Sequence, residues 1–359
     1  MPQFPLPPGS TIGVLGGGQL GRMLALAAAR LGFETAVLER DADSPAGQVA
    51  THTIIGAYDD PAALEALAGH ASVVTYEFEN VPAESVLKLQ GLGVDVAPGP
   101  EALAVAQDRV AEKQFLNASG APTVAFAAAD SAGEAASAAA AMGAPLLMKT
   151  RREGYDGKGQ RWIEHAADAE AAFQALGGRP VILEAPADFT RELSVIAARG
   201  RDGATAIYPL AENHHEGGIL RRSLAPAQVM PHIAFEAEKI AARILKGLNY
   251  VGVIGVELFE LRDGRLLVNE IAPRVHNSGH WTQDGCAVDQ FEQHIRAVAG
   301  WPLGPTVPHA RVEMLNLLGE EIETWARLAH EPDSRLHLYG KRDAKPGRKM
   351  GHVNKLKAL

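Results

Sequence analysis

Short apolar runs alternate with stretches of helical periodicity from Ser10 to about Leu103. TIGVLG and ETAVLE have the length and composition of strands, QLGRMLALAAARLG between them predicts a helix that ends at Gly32, and ASVVTYEFE predicts a later strand. Strands that alternate with helices predict a parallel sheet. Around Gln107 to Gly120 the stretch DRVAEKQFLNASG reads as a short helix leading into APTVAFAAA, and the alanine-rich DSAGEAASAAAAMG as a helix opening at Asp130 or Ser131 and closing at Gly143. PLLMKT and GQRWIE then form two strands around the glycine-rich turn EGYDGKG. VILEAP and ELSVIAARG continue the pattern, followed by a helix from about Phe235 to Leu248 and a hairpin, VGVIGVELFELRDGRLLVNEI. A helix near Asp289 to Gly300 ends this body, and residues 301–359 predict a small mixed cap. No repeat of fixed period is present.

A chain of 359 residues is long for a single core and predicts two or three domains. Hydrophobic residues make up 47% and charged residues 21%, and no apolar run approaches the roughly 18 to 20 residues of a membrane span. The expected class is a soluble protein with no membrane partner. The opening MPQFPLPPGS lacks both a basic cluster and an apolar stretch, so the expected address is the cytoplasm. The single cysteine, Cys286, excludes an internal disulfide framework and any multi-cysteine metal site. A formal charge of −9 argues against a nucleic-acid partner, which needs a large basic face. Basic residues do gather locally in YGKRDAKPGRKMGHV, where Asp343 alone offsets Lys341, Arg342, Lys345, Arg348 and Lys349.

Three patterns carry chemistry. GVLGGGQLGRM places Gly16, Gly18 and Gly21 after a strand and at the opening of a helix, the context of a dinucleotide fingerprint, with Glu39 ending the second strand where a ribose-binding acid would stand. Backbone N–H groups at a helix start can cradle a phosphate, but the motif alone does not say whose. In the hairpin, a two-residue Asp263-Gly264 turn pairs Arg262 with Arg265, Phe259 with Val268 and Glu257 with Glu270. Two glutamates face to face repel unless one is protonated or a cation lies between them; Mg²⁺ suits such a donor set, and Mn²⁺ is its nearest substitute. The third pattern is the turn Glu153-Gly154-Tyr155-Asp156-Gly157-Lys158-Gly159. It sits between strands and lacks a P-loop ending, so it predicts a hairpin flap that closes over a polyphosphate, with Lys149 on the preceding strand.

Lysine, flap and paired acids together resemble the ATP-grasp superfamily and, within it, the N5-carboxyaminoimidazole ribonucleotide synthetases of purine biosynthesis. The markers are GGGQLGRM, YEFENVP, EGYDGKGQ, ENHHEGGIL and NEIAPRVHNSGHWT, spread over nearly the whole chain. The resemblance implies an α/β and α+β chain: a Rossmann-like pre-ATP-grasp domain over 1–105, an ATP-grasp domain over 106–300 with a hinge near 184–190 between two subdomains, and a small C-terminal domain over 301–359. It implies that ATP phosphorylates bicarbonate to carboxyphosphate, and that the carboxyl group passes to the exocyclic amine of 5-aminoimidazole ribonucleotide in a cytoplasmic homodimer.

Residue by residue, the resemblance gives Glu257 and Glu270 to Mg²⁺. Arg109, Lys149, Glu153, Gly154, Gly157, Gly159, Glu184, Ala187, Glu192, His215 and Asn269 go to ATP. Gly17, Gly18, Gln19, Leu20, Glu79, Lys341 and Arg348 go to the ribonucleotide. Arg274 holds bicarbonate and carboxyphosphate through its planar fork, assisted by His276 and Asn277, while Tyr155, Asp156 and Lys158 approach from the flap. Simple alternation turns Asn269 away from Glu270, so its role depends on local twist. The position two residues after Glu270, an asparagine metal ligand in many ATP-grasp enzymes, is Ala272. Where biotin carboxylase has a glutamate base, this chain has Ser278, so no dedicated carboxylate base for bicarbonate is expected. His276 and His280 flank poor helix formers, and His214-His215-Glu216 is not a zinc motif. Three rivals remain open: another purine-intermediate ATP-grasp ligase, a nicotinamide oxidoreductase, and a nucleotide-binding regulator without turnover.

Overall fold

The computed structural model describes residues 3–154 and 159–359. Its first sheet is parallel throughout, with β1 (Thr11–Leu15), β2 (Glu34–Glu39), β3 (His52–Ile55), β4 (Val73–Tyr76) and β5 (Asp95–Val96) in the order β3-β2-β1-β4-β5. Apolar residues of β1, β2 and β4 are almost all buried, as parallel strands covered on both faces must be. The helix Gln19–Arg30 follows β1. The run ASVVTYEFE leaves the sheet at Tyr76, so Glu77, Phe78 and Glu79 sit at the carboxyl edge of the strands, where open α/β sheets bind ligands.

A smaller antiparallel sheet comes next: β6 (Phe126–Ala129), β7 (Leu146–Thr150), β8 (Gln160–Ile163) and β9 (Val181–Glu184), ordered β6-β9-β7-β8. The alanine-rich segment is the helix Ala132–Met142, opened by the Ser131 hydroxyl, which accepts from the Glu134 N–H at 3.2 Å, and closed at Gly143. Its small residues Ala135 and Ala139 pack against Leu146, Met148 and Leu183.

The third sheet holds β10 (Phe189–Arg199), β11 (Thr205–Ile207), β12 (Ala211–Glu216), β13 (Ile219–Ala225), β14 (Gly252–Leu261), β15 (Leu266–Ala272), β16 (Arg311–Leu318), β17 (Ser334–Leu338) and β18 (Lys349–Lys357). Its order is β15-β14-β10-β12-β13-β16-β18-β17, with β11 beside β10. The last three strands extend the large sheet, because β16 pairs directly with β13 and buries Val312 and Met314. The long helix starts at Pro231, four residues before the expected position, since proline fits the first helical turn. One core cluster runs through all this, joining Ile12, Leu24 and Val73 of the first sheet's layer to Ile196 and Val253 of the large sheet and Trp281 and Tyr339 beyond it.

The β14–β15 hairpin departs from a two-residue turn. Leu261 donates its N–H to the Arg265 carbonyl at 2.9 Å and Gly264, with φ +80°, donates back to the Leu261 carbonyl at 2.9 Å, so Arg262 to Gly264 form a three-residue loop with glycine in the left-handed position. The pairs next to it are accordingly Glu260 with Leu266, Phe259 with Leu267 and Leu258 with Val268. A bulge between Glu257 and Leu258 then leaves Asn269 as an extra residue, and Glu257 comes to stand opposite Glu270.

Candidate active site

A cleft of about 610 Å³ opens where the carboxyl edge of the first sheet meets the face of the large sheet. Gln19, Leu20, Glu79, Arg274, His276, Asn277, Arg109, Lys149, Gly154, Glu192, His215, Glu257, Asn269 and Glu270 all line it. Phe189 and Phe259, stacked at 4.5 Å, add a flat apolar wall.

The acid pair sits in a field that splits its two members. Burial and then the charge of Glu270 raise Glu257 to a pKa of about 7. Burial would raise Glu270 as well, but the Arg109 guanidinium and the Lys149 ammonium outweigh it and hold that carboxyl low. Arg109 donates to Glu270 Oε2 at 3.0 Å and to the Gly154 carbonyl at 3.0 Å, tying the acid pair to the root of the flap. It can do so because Asp108 caps its helix, accepting from the Val110 and Ala111 N–H groups, and is itself pinned by Arg151 at 2.8 Å. The bulge turns Asn269 toward the pair, with its amide Nδ2 3.4 Å from Glu257 Oε2. These oxygen donors, Glu257 among them raised by burial and by the charge of Glu270, fit a hard divalent ion such as Mg²⁺.

His276 stands 3.3 Å from Glu257 Oε1 through Nε2, while its Nδ1 accepts from the Ser278 N–H at 3.4 Å and lies 2.8 Å from the Ser278 hydroxyl. Burial, and then Arg274, lower its pKa to about 3. The ring is therefore neutral, with its proton on Nε2 and directed at Glu257. Ser278 thus serves as the partner that sets the tautomer of His276. Arg274 is ion-paired with Glu79 across the two domains, and although burial alone would raise Glu79, the guanidinium draws it down to about 2. His215 pairs with Glu192, which raises the histidine against the effect of burial.

The N–H groups of Gly17 and Gly18 donate to this chain's own carboxylates. Glu39 Oε2 accepts from Gly17 at 2.7 Å and also from the Tyr58 hydroxyl at 2.7 Å, whereas Glu77 accepts from Gly18 and, at 2.6 Å, from Gly21. The helix Gln19–Arg30 has no side-chain cap of its own, and Glu77 fills that role at the positive end of its dipole. A Cβ on Gly18 would collide with that carboxylate. Gln19 and Leu20 remain on the cleft wall. Glu184 is buried between Lys149 at 2.7 Å and Lys113 at 3.1 Å, and those two lysines lower its pKa despite burial.

The other expected residues do not line the cleft, although Lys341 lies within reach of the charge of Glu77, which does. Glu153, with φ +67°, is exposed and paired with Arg179 at 3.1 Å. Ala187 is half-buried on the segment between β9 and β10, and Gly159 follows the flap with φ +72°. Lys341 donates to the Lys349 carbonyl at 2.8 Å, and burial together with Arg348 lowers it to about 8, while Arg348 donates to the Asp343 carbonyl at 3.1 Å. Tyr155, Asp156, Gly157 and Lys158 lie outside the described residues.

Sequence reasoning passed over Glu77, Lys113 and Glu112. Lys113 is nearly inaccessible and also donates to the Asn269 carbonyl at 3.3 Å. Glu112 accepts from the Ile271 N–H at 2.7 Å, and burial followed by the charge of Glu270 raises it to about 8. A signal existed for the last two: charged residues at Glu112 and Lys113 fall on the buried face of an amphipathic helix, where unpaired charges are not tolerated. Glu77 carried one too, as an acid directly following a buried strand.

Comparison with known proteins accords with this geometry. Residues 10–107 match the ribonucleotide synthetase preATP-grasp domain, residues 114–291 the ATP-grasp domain, and residues 313–358 the phosphoribosylaminoimidazole carboxylase C-terminal domain. The chain is 52% identical to the N5-carboxyaminoimidazole ribonucleotide synthase of Brucella melitensis over 99% of both chains, and 47% identical to that of Pseudomonas aeruginosa over 95% of this chain and 93% of the other. Among solved structures, the synthetase of Thermus thermophilus superposes with a TM-score of 0.91 at 45% identity, covering 96% of this chain and 93% of that one. The Aspergillus clavatus synthase in complex with ADP and 5-aminoimidazole ribonucleotide gives 0.91 at 33% identity, covering 98% and 94%. With its ATP-grasp fold, its preATP-grasp domain and relatives of this identity over its full length, the chain belongs to the N5-carboxyaminoimidazole ribonucleotide synthase family.

Proposed function

We infer that this chain is an ATP-dependent ligase that carboxylates 5-aminoimidazole ribonucleotide to its N5-carboxy derivative in purine biosynthesis, with bicarbonate as the carbon source and Mg²⁺ at Glu257 and Glu270. The observation that carries the reading is the shared cleft: the acid pair, Arg109, Lys149, Arg274 and the first residues of the glycine-loop helix all line one cavity.

In this reading Lys149 and Arg109 meet the phosphates, and the Phe189–Phe259 wall offers the adenine a flat surface. Glu257 and Glu270 would hold Mg²⁺, which would supply Lewis-acid stabilisation of the charge that develops on the γ-phosphate. A bicarbonate oxygen held by Arg274 attacks the γ-phosphorus and ADP leaves. The amine nitrogen of the ribonucleotide then attacks the carboxyl carbon of carboxyphosphate, the carbon–oxygen bond to phosphate breaks, and the amine proton passes to the departing phosphate. Neutral His276 steadies Glu257 through its Nε2–H and leaves Arg274 as the cation at the carboxylate. Gln19 and Leu20, with Lys341 and Arg348 from the C-terminal loop, hold the ribonucleotide phosphate. A cytoplasmic homodimer is part of the same proposal, from the family resemblance; no helix among the described residues is long and apolar enough to cross a membrane.

The test is phosphate release from Mg-ATP with bicarbonate and 5-aminoimidazole ribonucleotide supplied together and singly, with the ribonucleotide product followed in parallel. Turnover that requires both and yields the N-carboxy product is expected. ATP turnover indifferent to this ribonucleotide but responsive to another acceptor would move the substrate assignment elsewhere.

A further inference from the structure

The glycine-loop motif ends in an arginine that the proposed mechanism leaves without a task. Arg22 does not point into the cleft. Its Nη1 donates to the Pro45 carbonyl at 3.0 Å and to Gln48 Oε1 at 2.9 Å, and Gln48 Nε2 donates in turn to the Gly340 carbonyl at 2.9 Å. Gly340 adopts φ +73°, and a Cβ there would run into the Gln48 amide, so the contact needs glycine on both counts. The next residue is Lys341, whose chain is fastened to the Lys349 carbonyl, and Lys349 lines the cleft. A second, exposed tie joins Arg342 to Asp43 at 2.6 Å. The helix that carries Arg22 begins with Gln19 and Leu20, which also line the cleft. One end of the chain therefore holds the other within the first turn of the helix whose opening residues, with Lys349, line the cleft.

We propose that Arg22 and Gln48 are positioning residues for the ribonucleotide: they hold the loop from Gly340 to Arg348 against the glycine-loop helix, so that Lys341 and Arg348 and the Gln19–Leu20 amides converge on one phosphate. This rests on the function proposed above. The relay touches neither the acid pair nor the Phe189–Phe259 wall, so it acts on one substrate only. The neutral Gln48–Gly340 hydrogen bond changes an equilibrium by roughly fivefold, the charged Arg22 bonds by more, and their loss here frees a whole loop, so an effect of about tenfold is expected.

The experiment is steady-state kinetics of Gln48→Ala, Arg22→Met, Arg22→Lys and Asp43→Ala beside the wild type, varying ATP and 5-aminoimidazole ribonucleotide separately, with thermal unfolding of each. Gln48→Ala and Arg22→Met should raise KM for the ribonucleotide about tenfold and leave KM for ATP within twofold. Arg22→Lys, which keeps a charged donor, should recover part of the loss, and Asp43→Ala, which removes only the exposed tie, should stay within twofold throughout. A purely structural role would lower the unfolding temperature and the active fraction without moving KM for the ribonucleotide, and that result, or equal rises for both substrates, overturns the relay. A wild type that forms no N-carboxy product overturns the functional reading and the relay with it, which separates the two failures.

Discussion

Glu257→Gln should make the metal-free protein more stable while it removes activity. Glu257 is 19% exposed at its side chain and faces Glu270 across the hairpin, and the folded structure raises its pKa from 4.5 to about 7. For an acid raised on folding, the folded state binds the proton more tightly than the unfolded one. Stability is therefore unaffected below about pH 4.5, and is lost progressively as the pH rises through about 7. A shift of about 2.5 units corresponds to a cost on the order of 3 kcal/mol once the carboxyl is fully ionised, falling below about 1 kcal/mol near pH 5. Glutamine has the shape of the protonated acid and does not titrate, so the variant escapes this cost. The assay is urea unfolding of wild type and variant in EDTA at pH 5 and pH 8, comparing the two proteins at each pH because a multidomain chain need not unfold in one step. The variant should be more stable by about 2 to 3 kcal/mol at pH 8 and nearly equal at pH 5. Saturating Mg²⁺ should raise the wild type more than the variant, since the ion offsets a second carboxylate charge that the variant does not carry. A variant that is less stable at pH 8, or a difference that ignores pH, would refute the account of the acid pair.

Lys113→Met leaves Glu184 buried with one cation instead of two, and should cost about 2 to 4 kcal/mol in urea unfolding while weakening ATP binding in calorimetry. Arg274→Lys keeps the charge but loses the fork, and bicarbonate-dependent product formation should fall by roughly 100-fold with ATP affinity within a few-fold. His294→Phe strands the Val253 N–H, 3.0 Å from Nδ1, and the Thr75 hydroxyl, 2.7 Å from Nε2, and should destabilise by about 2 to 4 kcal/mol. Burial lowers that ring to about pH 3 in the folded protein, so the folded state binds fewer protons than the unfolded one. The wild type should therefore lose stability as the pH falls below about 6.5, and the difference between the two proteins should shrink there.

Much of this site was legible because its chemistry is written in local patterns. A glycine-rich turn between β1 and a helix announces itself by spacing, as does a lysine before a flap, and both stand where the pattern put them. What escaped was the identity of the groups that satisfy those patterns. The N–H groups of a helix start call for an anion, but whether a substrate phosphate or Glu77 supplies it depends on β4 lying beside β1, a parallel pairing separated by some sixty residues of chain. The same holds for Lys113 on the helix Arg109–Ala118, whose partner Glu184 ends β9 of the smaller antiparallel sheet. The ENHHEGGIL stretch did carry a local signal that went unread: Gly217 and Gly218, at φ +58° and +81°, form the tight turn between β12 and β13, and adjacent glycines between two strand-length runs are the mark of such a hairpin.

The paired glutamates show how a pairing can be right for an incomplete reason. An Asp-Gly turn of two residues puts Glu257 opposite Glu270, and so does the structure, yet every pair between the turn and the glutamates is offset by one. The three-residue loop shifts the register one way, and the bulge at Asn269 shifts it back. The two irregularities have separate physical causes. Gly264 can take the left-handed conformation that a three-residue loop requires, and the acids resist an unbroken ladder, since the extra residue lets Asn269 turn its amide toward Glu257 instead of pointing away. An alternating strand would have placed Asn269 on the far face and left Glu257 with one fewer polar neighbour. The bulge is thus the means by which the hairpin presents three oxygen-bearing side chains in a row to the cleft, and a hairpin of regular register could present only two.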